Sequence, residues 1–133
     1  MPLVRISYAD HSGAIDEKAI SEGVHNALIR AFGIPEDDYF QILEPHLNGV
    51  GLVGPESFLG IEHGPFITFV QITAAEGRST EQKRALYRQI VENLETCGLH
   101  RADIVINLIE TKRENWSFGN GEAPFANVSQ MEV

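Results

Sequence analysis

The spacing of apolar residues changes along this chain, and the changes mark out two segments of similar grammar. Leu3, Val4, Ile6 and Tyr8 predict a first strand, which His11-Ser12-Gly13 breaks. From about Ala14 to Phe32 the apolar positions are Ile20, Val24, Leu28 and Phe32, flanked by Ala27 and Ala31, which is the stripe of an amphipathic helix. Gly33 stands where a left-handed C-terminal residue belongs, and Pro35 prevents continuation. Tyr39 to about Leu47 alternates as a second strand and runs into Asn48-Gly49, a hairpin turn signal. The order then repeats. Phe66 to Thr73 is rich in β-branched and aromatic residues, Ser79 and Gln82 form a capping box, and Leu86, Ile90, Val91 and Leu94 mark a helix ending at Gly98. Asp103 to Glu110 supplies the last strand.

Strand, helix, strand, twice over, predicts an α+β fold. Two consecutive β-α-β repeats, about 1–60 and about 65–133, form one four-stranded sheet in a single domain. Right-handed crossovers put both helices on one face. The other face is then bare, yet Ile104-Val105-Ile106 is apolar on both sides. No further helix is available to cover it, so burial against copies of the same chain, a homo-oligomer of cyclic symmetry, is expected.

Composition narrows the partners. A chain of 133 residues, 43% apolar, can build one real core. Its formal net charge of −9 argues against nucleic acid and anionic membrane as partners, so any basic site must be local. The single cysteine, Cys97, forms no internal disulfide, suits a reducing compartment and reads as a small core residue. With no signal-peptide pattern and no spanning apolar run, a cytoplasmic location is expected.

Several motifs carry less than they promise. Gly49-Val50-Gly51-Leu52-Val53-Gly54 matches the dinucleotide fingerprint, but Pro55 follows where that fingerprint needs a helix, so a glycine-rich hairpin is the better reading. His11, His25, His46, His63 and His100 lack the spacing of a metal cage, and no metal or other cofactor is expected. Ser79 is a helix cap, with no nucleophile elbow around it.

The remaining chemistry gathers on Pro2, Asp38, Arg78 and Asn115-Trp116-Ser117-Phe118-Gly119. Initiator methionine is commonly trimmed ahead of proline, which leaves a secondary amine. A terminal amine titrates at roughly pH 7.7 to 8.0, so its surroundings set it as a neutral base or a cationic acid. The Met-Pro start, the doubled repeat, Phe32-Gly33-Ile34-Pro35 followed by Asp38, Arg78-Ser79-Thr80-Glu81-Gln82-Lys83 and the Asn-Trp-Ser-Phe-Gly stretch together resemble the tautomerase superfamily. Within it the chain looks most like the malonate semialdehyde decarboxylase branch.

That resemblance implies a homotrimer with the N-terminal proline at the floor of a pocket between subunits, acting on a small carboxylated oxo acid. It assigns Pro2 as the catalytic amine and Asp38 as the acid that tunes the amine or a water. Arg78 becomes the carboxylate clamp, and Trp116 and Phe118 substrate-binding residues. A guanidinium offers a planar fork to a carboxylate, and the helix N-terminus after Ser79 favours an anion. Decarboxylase-type members carry two arginines one residue apart, whereas Glu76 takes the place of the first here. The dehalogenase branch shares Glu76-Gly77-Arg78-Ser79 and keeps a histidine near the position of His25, but Ala75, Asn107 and Phe118 stand where it has an arginine, a tyrosine and a second acid. Keto-enol tautomerisation or hydration of a 2-oxo acid therefore ranks above 3-oxo acid decarboxylation. A different class remains open: a chain that keeps Met1 locks the Pro2 nitrogen in an amide, leaving a catalytically idle trimeric interaction protein.

Overall fold

The computed structural model describes residues 1–126, so the expected end of the second repeat at 133 lies outside the described residues. In order along the chain come β1 (Pro2–Asp10), α1 (Glu17–Phe32), β2 (Phe40–Leu47), β3 (Ser57–Phe58), β4 (Ile61–Glu62), β5 (Thr68–Ala75), α2 (Thr80–Glu95) and β6 (Ile104–Thr111). The main sheet has the order β2-β1-β5-β6. The strands of each repeat run parallel, Leu3 beside Phe40 and Thr68 beside Ile104, and β1 meets β5 antiparallel at the centre.

Local chemistry sets the helix ends. Asp16 caps α1 by accepting from the Ala19 N–H, and Gly33 ends it at φ 68°, its N–H donating to the Ile29 carbonyl at 2.9 Å. Ser79 and Gln82 form the expected capping box at the start of α2. Alternate residues of the central strands, Val4, Ile6 and Tyr8 on β1 and Val70 and Ile72 on β5, pack under both helices against Ile20, Val24, Leu28, Leu86, Ile90 and Leu94. The helices approach closely at Gly23, where a Cβ would sit 3.3 Å from Leu94 Cδ2, and the Asn93 amide donates to the Gly23 carbonyl at 2.8 Å.

The face away from the helices is bare, as its pattern predicts. Leu3, Phe40, Ile42, Val105 and Ile109 are exposed there, beside an Arg5–Glu44 ion pair. The expected hairpin at Asn48-Gly49 is not one. Those residues do take positive φ, 53° and 71°, but they open successive turns in which the Gly49 N–H donates to His46 and the Leu52 N–H to Gly49. β2 is an edge strand paired only with β1, so the chain has no antiparallel neighbour to return to. The hairpin lies further on, β3 with β4, turning through Leu59 and Gly60 at φ 52° and 79°.

Candidate active site

Sheet topology assembles the candidate residues. Because β1 and β5 are antiparallel, Pro2 lies opposite Ala74, and because β5 and β6 are parallel, Ala75 lies beside Thr111. The starts of β1 and β2 and the ends of β5 and β6 thus meet at one end of the sheet. Pro2, Asp38, Arg78, Trp116 and Phe118 all belong to the segments that enter or leave it there.

Asp38 reaches the amine end of the chain. Its Oδ2 lies 2.7 Å from the Met1 ammonium, with the Met1 side chain 2% and the Asp38 side chain 12% exposed. With Met1 attached, the buried Pro2 nitrogen is a tertiary amide without a proton. The turn that carries Asp38 is held on both sides by α1. His25 Nε2 hydrogen-bonds the Glu36 carbonyl at 2.8 Å, and its ring stacks on Tyr39 with centroids 3.7 Å apart. The Tyr39 hydroxyl meets Ser21 Oγ at 2.7 Å, and Ser21 in turn donates to Gln41. His25 is 5% exposed, so it supports the turn from within the protein.

Arg78 leaves β5 ahead of α2 and lies over the Phe32 ring, Cζ 4.9 Å from its centroid, while Nη1 donates to the Ala75 carbonyl. Burial and the neighbouring charge of Arg113 lower its pKa from the usual guanidinium range, against the pull of Asp38 and Glu110. Glu110 is itself held below the ordinary carboxylate value by a hydrogen bond from Lys83, 2.8 Å away. Glu76 is exposed, and its backbone N–H donates to the Thr111 carbonyl at 2.8 Å.

The aromatic pair forms a wall. Trp116 Nε1 donates to Thr111 Oγ1 at 2.7 Å, and that hydroxyl donates to the carbonyl of Ala74, the strand partner of Pro2. The indole stacks on Phe118, centroids 5.6 Å apart, and Phe118 touches Phe40 and Phe125 in turn. Leu3, Phe40, Thr73, Thr111, Trp116 and Phe118 line a cleft of about 420 Å³ beside this wall. Cation, carboxylate, amine end and apolar wall are the parts needed to bind a small organic acid and move its protons.

A family model described as tautomerase enzyme matches residues 38–119, the stretch from Asp38 through Arg78 to the aromatic wall. The chain belongs to the tautomerase family. Two Bacillus subtilis relatives, the probable tautomerases YusQ and YrdN, are 32% and 29% identical to it, covering 92% and 94% of this chain and 97% and 96% of their own. Among solved structures, the FG41 malonate semialdehyde decarboxylase inhibited by 3-bromopropiolate superposes with a TM-score of 0.83 at 30% identity, over 92% of this chain and 93% of its own. A second malonate semialdehyde decarboxylase, described with decarboxylase and hydratase activities, gives 0.79 at 28% over 92% and 95%. This tautomerase family member is thus malonate semialdehyde decarboxylase-like in its branch.

Three features of this candidate site carry no role in the sequence pattern, where His25 reads as an ordinary helix histidine. Ser21 and His25, four residues apart at the edge of the α1 stripe, and Tyr39 brace the Asp38 turn. Thr111 links the indole to the Pro2 level of the sheet. Arg113 lies close enough to Arg78 for its charge to be felt; the one signal for it was a basic pair, Lys112-Arg113, straight after a strand in an acidic chain.

Proposed function

We propose that the chain, freed of Met1, is an acid/base enzyme for a small carboxylated oxo acid, catalysing keto-enol tautomerisation or hydration of a 2-oxo acid. The observation that carries this reading is Asp38 at 2.7 Å from the Met1 ammonium, next to Pro2 and at the same sheet end as Arg78 and the aromatic cleft. Loss of Met1 makes the Pro2 nitrogen a secondary amine and vacates the volume that the methionine side chain fills beside Asp38. Arg78 takes the substrate carboxylate in its planar fork. The Pro2 amine removes a proton from the carbon next to the carbonyl, and the enolate oxygen is protonated as Asp38 hands a proton on. Trp116 and Phe118 keep water from the enolate, or admit the single molecule that adds in hydration.

One observation favours a second reading, decarboxylation of a 3-oxo acid such as malonate semialdehyde. Asp38 lies at the amine end of the chain, 2.7 Å from the Met1 ammonium, and a carboxylate that stayed beside the Pro2 amine after trimming would favour its cationic form, which polarises a carbonyl and protonates the carbanion left when carbon dioxide departs. The likeness to two malonate semialdehyde decarboxylases supports it as well. We further infer a homotrimer that buries the bare sheet face, supported by the exposure of Leu3, Phe40, Ile42 and Ile109 there.

The test is the proline. In tag-free protein whose intact mass lacks methionine, Pro2→Ala lowers phenylpyruvate tautomerisation by roughly 10²- to 10⁴-fold, with circular dichroism unchanged. Equal turnover by the variant overturns the acid/base reading, and full retention of Met1 in the native protein leaves the idle interaction protein in its place. Malonate semialdehyde turnover in parallel ranks the two chemistries. Light scattering should give about 44 kDa, three copies of the chain, and a stable monomer removes the buried face.

A further inference from the structure

The two strands that end at the site leave the sheet side by side. Ala75 of β5 pairs with Thr111 of β6, and the Glu76 N–H donates to the Thr111 carbonyl at 2.8 Å, so the segments carrying Arg78 and Arg113 run out together at the Pro2 end. Arg113 is half-buried there, and its Nε is fully buried without a hydrogen-bond partner among the described residues. It forms no ion pair among them either. The two acids felt at Arg78 do not pair with Arg113: Glu110 accepts from Lys83 at 2.8 Å, and Asp38 faces the amine end of the chain. The charge of Arg113 is felt at Arg78, where it disfavours the guanidinium cation. In a chain of net charge −9, a half-buried cation that is felt by a second cation and forms no ion pair among the described residues, not even with the adjacent Glu114, is an arrangement that an anion relieves. The cleft of about 420 Å³ opens on the same segment, lined by Thr111 and Asn115 on either side of Arg113.

We propose that Arg113 binds a second carboxylate, so that the preferred substrates are small dicarboxylic oxo acids held by Arg78 at the reacting end and by Arg113 at the far end. This rests on the reading of Pro2, Asp38 and Arg78 as an oxo acid site and adds the substrate class to it. A guanidinium whose Nε is enclosed keeps its outer edge for a planar oxyanion, which suits a carboxylate better than a neutral group. A monocarboxylate leaves Arg113 uncompensated and gains nothing from it.

Binding and turnover separate the two layers of the proposal. By calorimetry on the Met1-free protein, succinate should bind at least tenfold more tightly than butyrate, and Arg113→Gln should abolish that preference while leaving butyrate unchanged. Arg113→Lys, which keeps the charge, should recover part of it and so excludes a mere folding defect. In turnover, Arg113→Gln should raise KM for enol-oxaloacetate at least tenfold and leave phenylpyruvate kinetics within twofold. Equal binding of succinate and butyrate by the native chain, or equal losses on both acids in Arg113→Gln, overturns the dicarboxylate assignment whatever the enzyme catalyses. Undiminished turnover by Pro2→Ala overturns the underlying reaction instead and leaves the binding result to stand.

Discussion

Each repeat places an aspartate just ahead of its second strand, and the two aspartates have been put to different uses. Asp38, before β2, accepts from the Met1 ammonium at 2.7 Å; Asp103, before β6, accepts from the Gly64 backbone N–H at 2.6 Å. They lie at opposite ends of the sheet, because β1 and β5 run antiparallel. Asp103 is 1% exposed, with its second oxygen buried and unpartnered among the described residues. Asp38 remains partly open, and its partner is a group that ionises. One carboxylate ties down the chain leading into a strand with a bond that never titrates on the donor side. Its counterpart makes the same kind of tie to the amine end of the chain, at 2.7 Å. The duplicated architecture supplies the acid twice, and the chemistry proposed above rests on the copy that faces the amine end.

The largest effect that would break this contrast is on rate. Asp38→Asn should lower kcat for phenylpyruvate by about 10²-fold, the lower range for loss of a positioned proton donor, whereas Asp103→Asn should leave it within twofold. Similar losses in both would make the two acids equivalent. Stability should reverse the order. Asp103→Ala strands the Gly64 N–H and should cost about 1–3 kcal/mol in urea unfolding, with kcat of the folded fraction unchanged.

A smaller effect probes how the Asp38 end is braced. Tyr39→Phe removes the hydroxyl that meets Ser21 at 2.7 Å and should cost about 1 kcal/mol, together with a few-fold drop in kcat and no change in KM. A loss of stability with kcat intact would mean that the α1 brace serves the fold alone.

The smallest effect is pH-linked. Glu110 is held below its ordinary value of 4.5 by Lys83, so its contribution is present above that value and fades as pH falls through the lowered one. The pair is partly exposed, and Glu110→Gln should cost a few tenths of a kcal/mol near neutrality. It should also flatten the decline in stability below pH 4.5, as followed by acid unfolding. An unchanged acid profile would show the Lys83 contact to be idle.

Both repeats were legible in the sequence because their signals are local. The capping box at Ser79 and Gln82, the left-handed stop at Gly33 and the apolar stripe of α1 each depend on residues within a turn or two of one another. The β3–β4 hairpin was not legible: its strands are two residues long, and one of its left-handed positions is Leu59, a residue that rarely takes that conformation. Asn48-Gly49 offered a stronger signal for a turn that leads to no antiparallel partner. At the site, the family motif carried Pro2, Asp38, Arg78, Trp116 and Phe118. Ser21, His25 and Tyr39 act through contacts between α1 and the segment before β2, and Arg113, just beyond β6, bears on Arg78, just beyond β5. Such pairings follow from strand order and register, which spacing along the chain does not encode.

The burial of Met1 also fixes an order of events. An aminopeptidase needs an extended, accessible terminus, yet in the folded chain this residue is 2% exposed and its ammonium is held by Asp38. For the Pro2 amine of the proposed mechanism to be freed, trimming would have to come while β1 is still unpaired with β2 and β5. Under the acid/base reading proposed above, a race between a protease and a strand would set the share of molecules that carry a free Pro2 amine.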